Sequence, residues 1–443
     1  MSDAQTGRDT MAKVSRRLIP FMVAMFCVSF LDRVNIGFAA LTMSHDLGLT
    51  PQAYGFAAGI LFVSYTAFEI PSNLILDRVG PRLWLARIMI TWGLVAAAGA
   101  LVFDRYSLYA MRFVLGAAEA GFFPGLMLYI SRWFPAPERG RAIALFMAGS
   151  PISVVVGAPV STALLSLGGW LGLAGWQWLF LLEGLPAVVL GVMALRWLTD
   201  RPEEARWLSA AERAWLYETM AREQSAKEAR AGPRGALAVF AHGPTLLLAL
   251  SKLCVLLAFF GVTLWLPQII HSFGHITRLQ TGLLTALPYA CAAVGSILAG
   301  RGSDRSGRRG MYVALPAFAG SLGFAGAALT ASPSLAMAAL CVAATGLWIS
   351  NTLFWTLPTA LLAGTSAAAG LALINSVGNF GGFFGPTLTG WVRAATGSYA
   401  WALAILGGFL ALSGILALIV ARRIEGPPPA ERVADRPTSR ARG

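Results

Sequence analysis

Five charged side chains lie inside long apolar stretches of this sequence. They are Asp32, Arg33, Arg112, Glu119 and Lys252. A charge at the centre of an apolar helix in lipid costs about 2.5–3.5 kcal/mol on insertion scales, so each of these residues asks for a functional reason. Carboxylates bind and release protons, and a planar guanidinium binds both oxygens of a carboxylate. These residue types therefore predict a buried site for protons and organic anions.

Depth along the helices suggests partners for the acidic residues. At about 1.5 Å per residue, Asp32 lies roughly 21 Å from the start of its apolar run and Arg112 roughly 9 Å from the opposite end of its own run, so we expect an ion pair between them. Glu119 lies about 10 Å beyond Arg112 and needs another partner or a proton. Burial favours the neutral form of a carboxyl group, which suits a proton carrier. We assign Asp32, Arg112 and Glu119 to proton coupling.

The two remaining cations are candidates for binding an anionic substrate. Arg33 points about 100° away from Asp32 around the helix, so the two residues serve different purposes. Arg33 is the first candidate for a substrate carboxylate, and a second structural ion pair is its alternative. Lys252 either binds a further acidic group or pairs with Glu119, and snorkelling to a helix end is its alternative.

Polar and aromatic residues complete the predicted substrate pocket. Asn375 and Asn379 are four residues apart and share a helix face, and hydrogen bonding between helices is an equally good explanation for them. Tyr65 offers a hydroxyl or a ring face, and packing is as good an explanation there. The second half of the chain contributes the rest of the pocket, namely Asn351 and Trp355.

The composition indicates that these residues are positioned by membrane-spanning helices. The chain has 443 residues, of which 56% are hydrophobic and 12% charged, with a mean hydropathy of +0.65. One soluble core cannot bury that much apolar surface. Apolar runs long enough to span a bilayer start near 18, 52, 83, 106, 140, 176, 244, 279, 311, 334, 368 and 399.

The runs divide the chain into two groups of six. We expect a tail at 1–17, a first bundle at 18–199, a cytoplasmic linker at 200–240, a second bundle at 241–423 and a tail at 424–443. The linker has apolar residues at helical spacing, which predicts an amphipathic helix on the membrane surface or a solvated tether. Arginines cluster in alternate connectors, which predicts that both termini are cytoplasmic.

The two groups of six are related by an internal repeat. DRVGPR at 77–82 recurs as DRSGRR at 304–309, and the offset, 304 − 77 = 227 residues, also places Pro159 on Pro386. Two parallel halves with a substrate between them form a known transporter architecture. Under this offset Asp32 falls on Phe259 and Glu119 on Gly346, so the second half lacks these charges.

These motifs resemble those of the major facilitator superfamily. The loop at 300–309 matches the superfamily's signature, whereas Asn73 and Pro81 depart from it in the first copy. The resemblance implies that Asp77, Arg78, Asp304 and Arg305 form gating loops. Longer stretches resemble the anion:cation symporter family, with its tartrate, phthalate and hydroxyphenylacetate permeases. They are LDRVNIGFA at 31–39, RFVLGAAEAGFFPG at 112–125, WQWLFLLEG at 176–184, RPEEARWL at 201–208 and ALINSVGNFGGFFGP at 372–386.

The resemblance implies an all-α membrane protein with the major facilitator fold, twelve transmembrane helices in two six-helix halves around a central cavity. It also implies import of a small organic carboxylate by proton symport with alternating access, and proton coupling at positions that match Asp32 and Glu119. The alternatives are a carboxylate uniporter, a membrane sensor on a transporter scaffold and a drug:proton antiporter. We expect a monomer in the bacterial inner membrane.

Other functional classes are disfavoured by the sequence. The four cysteines are isolated, so no metal site is expected. There is no nucleophile and base at usable spacing and no phosphate-binding loop, so we expect neither an enzyme nor a cofactor. The net charge of +13 lies in short connectors between apolar runs rather than on a water-exposed domain, which argues against nucleic acid as a partner.

Overall fold

A computed structural model describes residues 3–230, 242–274, 276–306, 308–362 and 365–425. Before residue 200 the chain forms eight helices. They are α1 (Asp3–Asp46), α2 (Pro51–Val79), α3 (Pro81–Ala98), α4 (Arg105–Glu119), α5 (Phe122–Trp133), α6 (Ala136–Met147), α7 (Gly149–Leu164) and α8 (Gly175–Trp197). Helix α9 (Ala210–Arg230) follows in the linker.

The second half repeats this organisation. Its helices are α10 (Gly243–Thr263), α11 (Leu266–His271), α12 (Arg278–Ser306), α13 (Arg309–Leu329), α14 (Pro333–Leu353), α15 (Thr356–Leu361), α16 (Thr365–Thr396) and α17 (Ala400–Glu425). Three crossings in the molecule are built from two helices each, namely α4 with α5, α6 with α7 and α14 with α15. The all-helical fold that the sequence predicts is confirmed.

Eleven crossings among the described residues are long and apolar enough to span a membrane. Helix α16 has 32 residues but is not one of the eleven. Its sequence contains Asn375, Asn379 and many glycines, which lower its hydropathy. Its polar residues face the other half of the molecule instead of lipid, as the contacts below show, so the twelfth crossing is supported by its packing.

Most helices begin within four residues of the predicted starts. The first helix is the exception, because it begins at Asp3 instead of near residue 18. Its polar first turns pack against the linker: Lys13 donates to Glu212 Oε1 of α9 at 2.6 Å, and Arg17 stacks on the ring of Trp207 at 5.0 Å. These contacts extend α1 beyond the apolar run.

The amphipathic helix predicted in the linker is present, but its apolar face packs on protein. Leu208 and Leu216 are buried, and the Trp207 ring stacks on Trp133 of α5 with centroids 5.5 Å apart. Glu223 accepts from Arg139 of α6 at 2.7 Å. The prediction of a membrane-surface helix or a solvated tether was therefore wrong, because the first half offers the face a protein surface to bury against.

The two halves meet at the end of the molecule opposite α9, which we call the far end; the end near α9 is the linker end. Tyr54 of α2 donates to the carbonyl of Leu264 at 2.6 Å, and Trp265 donates to the carbonyl of Pro386 at 3.1 Å. A Cβ built on Gly55 would lie 2.5 Å from the Pro386 carbonyl oxygen, so the backbones of α2 and α16 touch there. The far end is closed in this conformation.

The fourth crossing is interrupted near its middle. Helix α4 ends at Glu119, and Gly121 has φ +85°, a left-handed conformation that favours glycine. Ser72 of α2 donates to the carbonyl of Ala120 at 2.6 Å, which satisfies a group that the break releases from the helix. The break thus places Glu119 at a helix end inside the protein.

Candidate functional site

The centre of the first half contains an ion pair between Glu119 of α4 and Arg33 of α1. Ser29, one turn earlier on α1, donates to the same Glu119 oxygen at 3.1 Å. The Glu119 side chain is 3% exposed and the Arg33 side chain 18% exposed, so the pair is buried but can be reached at its arginine. The partner that the sequence left open for Glu119 is therefore Arg33.

The predicted ion pair between Asp32 and Arg112 is not formed in this conformation. Asp32 accepts from the indole nitrogen of Trp92 on α3 and, at 2.9 Å, from the amide of Asn35. Arg112 is fully buried, donates through Nε to the carbonyl of Ala57 at 3.4 Å, and has no hydrogen-bond partner for its two terminal nitrogens. The two groups lie close enough for their charges to interact.

A second carboxylate lies behind Asp32. Glu183 of α8 accepts from Ser161 of α7 at 2.6 Å and interacts with the Asn35 amide, so Asn35 connects it to Asp32. Its other oxygen is buried without a hydrogen-bond partner. Our sequence-based interpretation placed no function on Glu183. Its position in the buried stretch WQWLFLLEG was the available signal.

The guanidinium of Arg33 also faces two aromatic rings of α2. Its central carbon lies 5.2 Å from the ring centre of Tyr65 and 5.8 Å from that of Phe62. Cation–π contacts of this kind hold a guanidinium in place when its carboxylate partner leaves. The structure thus brings the predicted residues Arg33 and Tyr65 together.

Lys252 forms a separate polar cluster in the second half. Its amine donates to Asn351 Oδ1 of α14 at 2.8 Å, and it lies 4.8 Å from the ring centre of Trp355 and 5.0 Å from that of Phe354. Lys252 is buried in the interior of α10, so it does not snorkel to a helix end. The predicted residues Lys252, Asn351 and Trp355 lie together, and Lys252 is not paired with Glu119.

Asn375 and Asn379 both bind Glu69 of α2, across the boundary between the halves. Asn375 donates to Glu69 Oε1 at 3.0 Å and Asn379 donates to Oε2 at 3.2 Å. The expected alternative, hydrogen bonding between helices, therefore describes these two residues in this conformation. Glu69 was expected to fix a helix end, which was wrong, because α2 continues for ten residues beyond it.

The arrangement is that of two helical halves around buried charges, and comparisons with known proteins agree with it. The family model described as the Major Facilitator Superfamily matches residues 21–386 and 275–442. The chain belongs to the major facilitator superfamily. A bacterial homologue of the human lysosomal transporter Spinster, in an inward-facing and unoccupied conformation, has the same fold, with a TM-score of 0.75 and 18% identity over 94% of this chain and 99% of that one.

Two relatives of known name cover nearly the whole chain. An Agrobacterium vitis protein whose name proposes it as a tartrate transporter is 46% identical over 421 residues, 95% of this chain and 96% of the relative. A quinolone resistance transporter of Acinetobacter baumannii is 40% identical over 420 residues, 94% of this chain and 96% of the relative.

The superfamily's signature loops lie at the linker end. Asp77 accepts from Arg132 of α5 at 2.9 Å, and its neighbour Arg78 is exposed. Asp304 and Arg305 lie in the last turn of α12, where Arg305 is exposed and the side chain of Asp304 is outside the described residues. Asp77 thus joins two crossings of one half, and gating by these loops stays a prediction.

Proposed function

We propose that this protein is a secondary transporter that imports a small organic carboxylate by proton symport with alternating access. The ion pair between Arg33 and Glu119 is the observation that carries the proposal. A proton and a carboxylate compete for opposite members of this pair: the proton binds Glu119 and the anion binds Arg33. Binding of either one favours binding of the other, which is the thermodynamic requirement for symport.

In this mechanism the proton acts first on Glu119. Protonation removes the negative charge of Glu119 and leaves Ser29 as a hydrogen-bond partner of the neutral carboxyl group. Arg33 then needs a new anionic partner, and its side chain is the more exposed of the two. A substrate carboxylate binds the guanidinium through two parallel hydrogen bonds while the Tyr65 ring keeps it in place.

The second half contributes recognition of the rest of the substrate. Lys252 is a buried cation with one amide partner, Asn351, and an aromatic wall formed by Trp355. A second acidic group or a hydroxyl of the substrate fits between the two polar clusters. The charged residues of proton coupling, Asp32, Arg112 and Glu119, all belong to the first half.

The orientation follows from the distribution of arginines. The linker end carries most of them, including Arg78, Arg132, Arg305 and Arg422, and the positive-inside rule places that end in the cytoplasm. Both termini lie there under this orientation, the far end faces outward, and the closed far end describes an inward-facing state. For this superfamily member we propose a bacterial inner membrane location, a monomer, and bundle bounds at 18–199 and 241–423.

Uptake into proteoliposomes tests the function. Labelled L-tartrate and a panel of aromatic and sugar acids are supplied with an inward proton gradient, and an ionophore then collapses the gradient. We expect accumulation that disappears on collapse. Uptake that only equilibrates would support a uniporter instead, and binding without any flux would support a sensor.

The similarity to a quinolone resistance transporter favours one second candidate, a drug:proton antiporter. Outward-directed quinolone flux from proteoliposomes separates the two. Because Arg33 and Lys252 are both cationic, we expect carboxylates without any quinolone scaffold to be carried. Quinolone flux in the absence of carboxylate flux would replace the symport proposal.

A further inference from the structure

Asn375 and Asn379 form a two-pronged donor that fits a carboxylate group. They lie one turn apart on α16, and each donates one amide hydrogen to a different oxygen of Glu69, at 3.0 and 3.2 Å. Two parallel donors meeting two oxygens of one planar group is the geometry by which proteins bind carboxylates with directional specificity. We call this pair of amides the asparagine fork.

The asparagine fork lies beside the cation that we propose for substrate. Tyr65 precedes Glu69 by one helical turn on α2, and the Arg33 guanidinium lies over the Tyr65 ring at 5.2 Å. The Arg33 charge also acts on Glu69. A small molecule bound to Arg33 is therefore within one helical turn of the asparagine fork.

The present occupant of the asparagine fork is itself a carboxylate. Glu69 is 7% exposed, and within the described part of the chain it forms no ion pair within 4.0 Å. A negative charge held in this position by two neutral amides opposes an incoming anion. An anionic substrate that enters the site must therefore compete with Glu69 or displace it.

We propose that Glu69 is an internal ligand that occupies a carboxylate subsite, the asparagine fork, and that a carboxylate of the substrate displaces it. The identity of the substrate rests on the proposed function, whereas the chemistry of the fork does not. The subsite takes a carboxylate, because only a planar group with two acceptor oxygens satisfies both amides together.

Displacement of Glu69 has a consequence for the two halves. While Glu69 holds the asparagine fork, α2 of the first half is bonded to α16 of the second half. Of the hydrogen bonds between halves in the described residues, these two lie nearest the linker end. When a substrate carboxylate takes the fork, the amides remain satisfied and the bond between the halves is released. The empty carrier is thus restrained and the loaded carrier is free to move.

Chemical rescue of a Glu69→Ala variant tests the subsite without any transport measurement. Removal of the side chain leaves the asparagine fork empty, and acetate is the probe that fills it. We expect acetate, compared with chloride at matched ionic strength, to raise the thermal unfolding midpoint of Glu69→Ala. It should not do so for wild type, for a variant that also carries Asn375→Ala and Asn379→Ala, or for the exposed control Glu203→Ala. Equal effects of acetate on all four proteins would overturn the proposal.

A second variant covers the case in which Glu69→Ala does not purify as a folded protein. Glu69→Gln keeps the length of the side chain but has one acceptor oxygen, so it is a weaker ligand for two amide donors. Acetate should stabilise this variant more than wild type. No difference between the two would contradict displacement.

Binding of L-tartrate connects the subsite to the proposed function. If Glu69 occupies the asparagine fork about 90% of the time, the apparent Kd of a competing ligand is raised about tenfold. Glu69→Ala should then bind tartrate about tenfold more tightly than wild type, and unchanged affinity in a protein that binds tartrate would refute competition. Selective rescue by acetate without tartrate binding by any variant would reject tartrate as substrate and support the fork.

Discussion

A double-mutant cycle on Arg33 and Glu119 measures whether the ion pair is the coupled unit that symport requires. Removing one partner of a buried pair leaves an uncompensated charge and destabilises a protein by about 3–5 kcal/mol. Glu119 is the more buried partner, and Arg33 keeps its contacts with Tyr65 and Phe62. We therefore expect Arg33→Gln, which strands Glu119, to lie near the upper end of this range and Glu119→Gln near the lower end.

The double variant, Arg33→Gln with Glu119→Gln, removes both charges and should recover most of the lost stability. The assay is thermal unfolding of detergent-purified protein, followed by intrinsic fluorescence, together with substrate exchange in liposomes. Glu119→Gln should keep exchange and lose gradient-driven accumulation, whereas Arg33→Gln should lose both. Destabilisations that simply add in the double variant would refute the pairing, because independent residues show no coupling energy.

Three further changes test other parts of the site. Asp77→Asn should slow uptake and leave the unfolding midpoint within about 1 kcal/mol of wild type, since the Asp77 side chain is 71% exposed and such pairs contribute little; unchanged uptake rates would contradict a role in gating. Gly121→Ala should reduce uptake, because alanine in a left-handed conformation costs about 1–2 kcal/mol and displaces Glu119; Gly140→Ala, where a Cβ meets nothing within 4 Å, is the matched control. Lys252→Met should weaken substrate binding at least tenfold without changing the proton dependence, as measured by uptake at several external pH values, and a changed proton dependence would move Lys252 into the coupling machinery.

The positions of the helices could be predicted from the sequence because the bilayer imposes a length on every apolar run. The first helix could not, because its polar turns from Asp3 onward are held by contacts with α9, which lies about 200 residues away in the chain. The linker was misjudged for the same reason. An amphipathic face shows that something apolar covers it but does not show whether that is lipid or protein.

The charged residues could be found from the sequence, but their partners could not. Depth along a helix fixes one coordinate, and pairing also depends on rotation about the axis. Measured from the far ends, Arg33 lies 46 − 33 = 13 residues from the end of α1 and Glu119 lies 119 − 105 = 14 residues from the start of α4, so these two share a depth. Trp92 and Asn35 satisfy Asp32 instead of Arg112.

The contacts that close the far end are uncharged among the described residues at that seam. They consist of Tyr54 on the Leu264 carbonyl, Trp265 on the Pro386 carbonyl and the glycine-lined approach of α2 to α16. Dissolved salt screens interactions between charges and has little effect on such neutral contacts. With the far end facing outward, the gate toward the medium would open and close with nearly the same free energy in fresh and in brackish water. Sensitivity to salinity would then enter only through the binding of the anion itself.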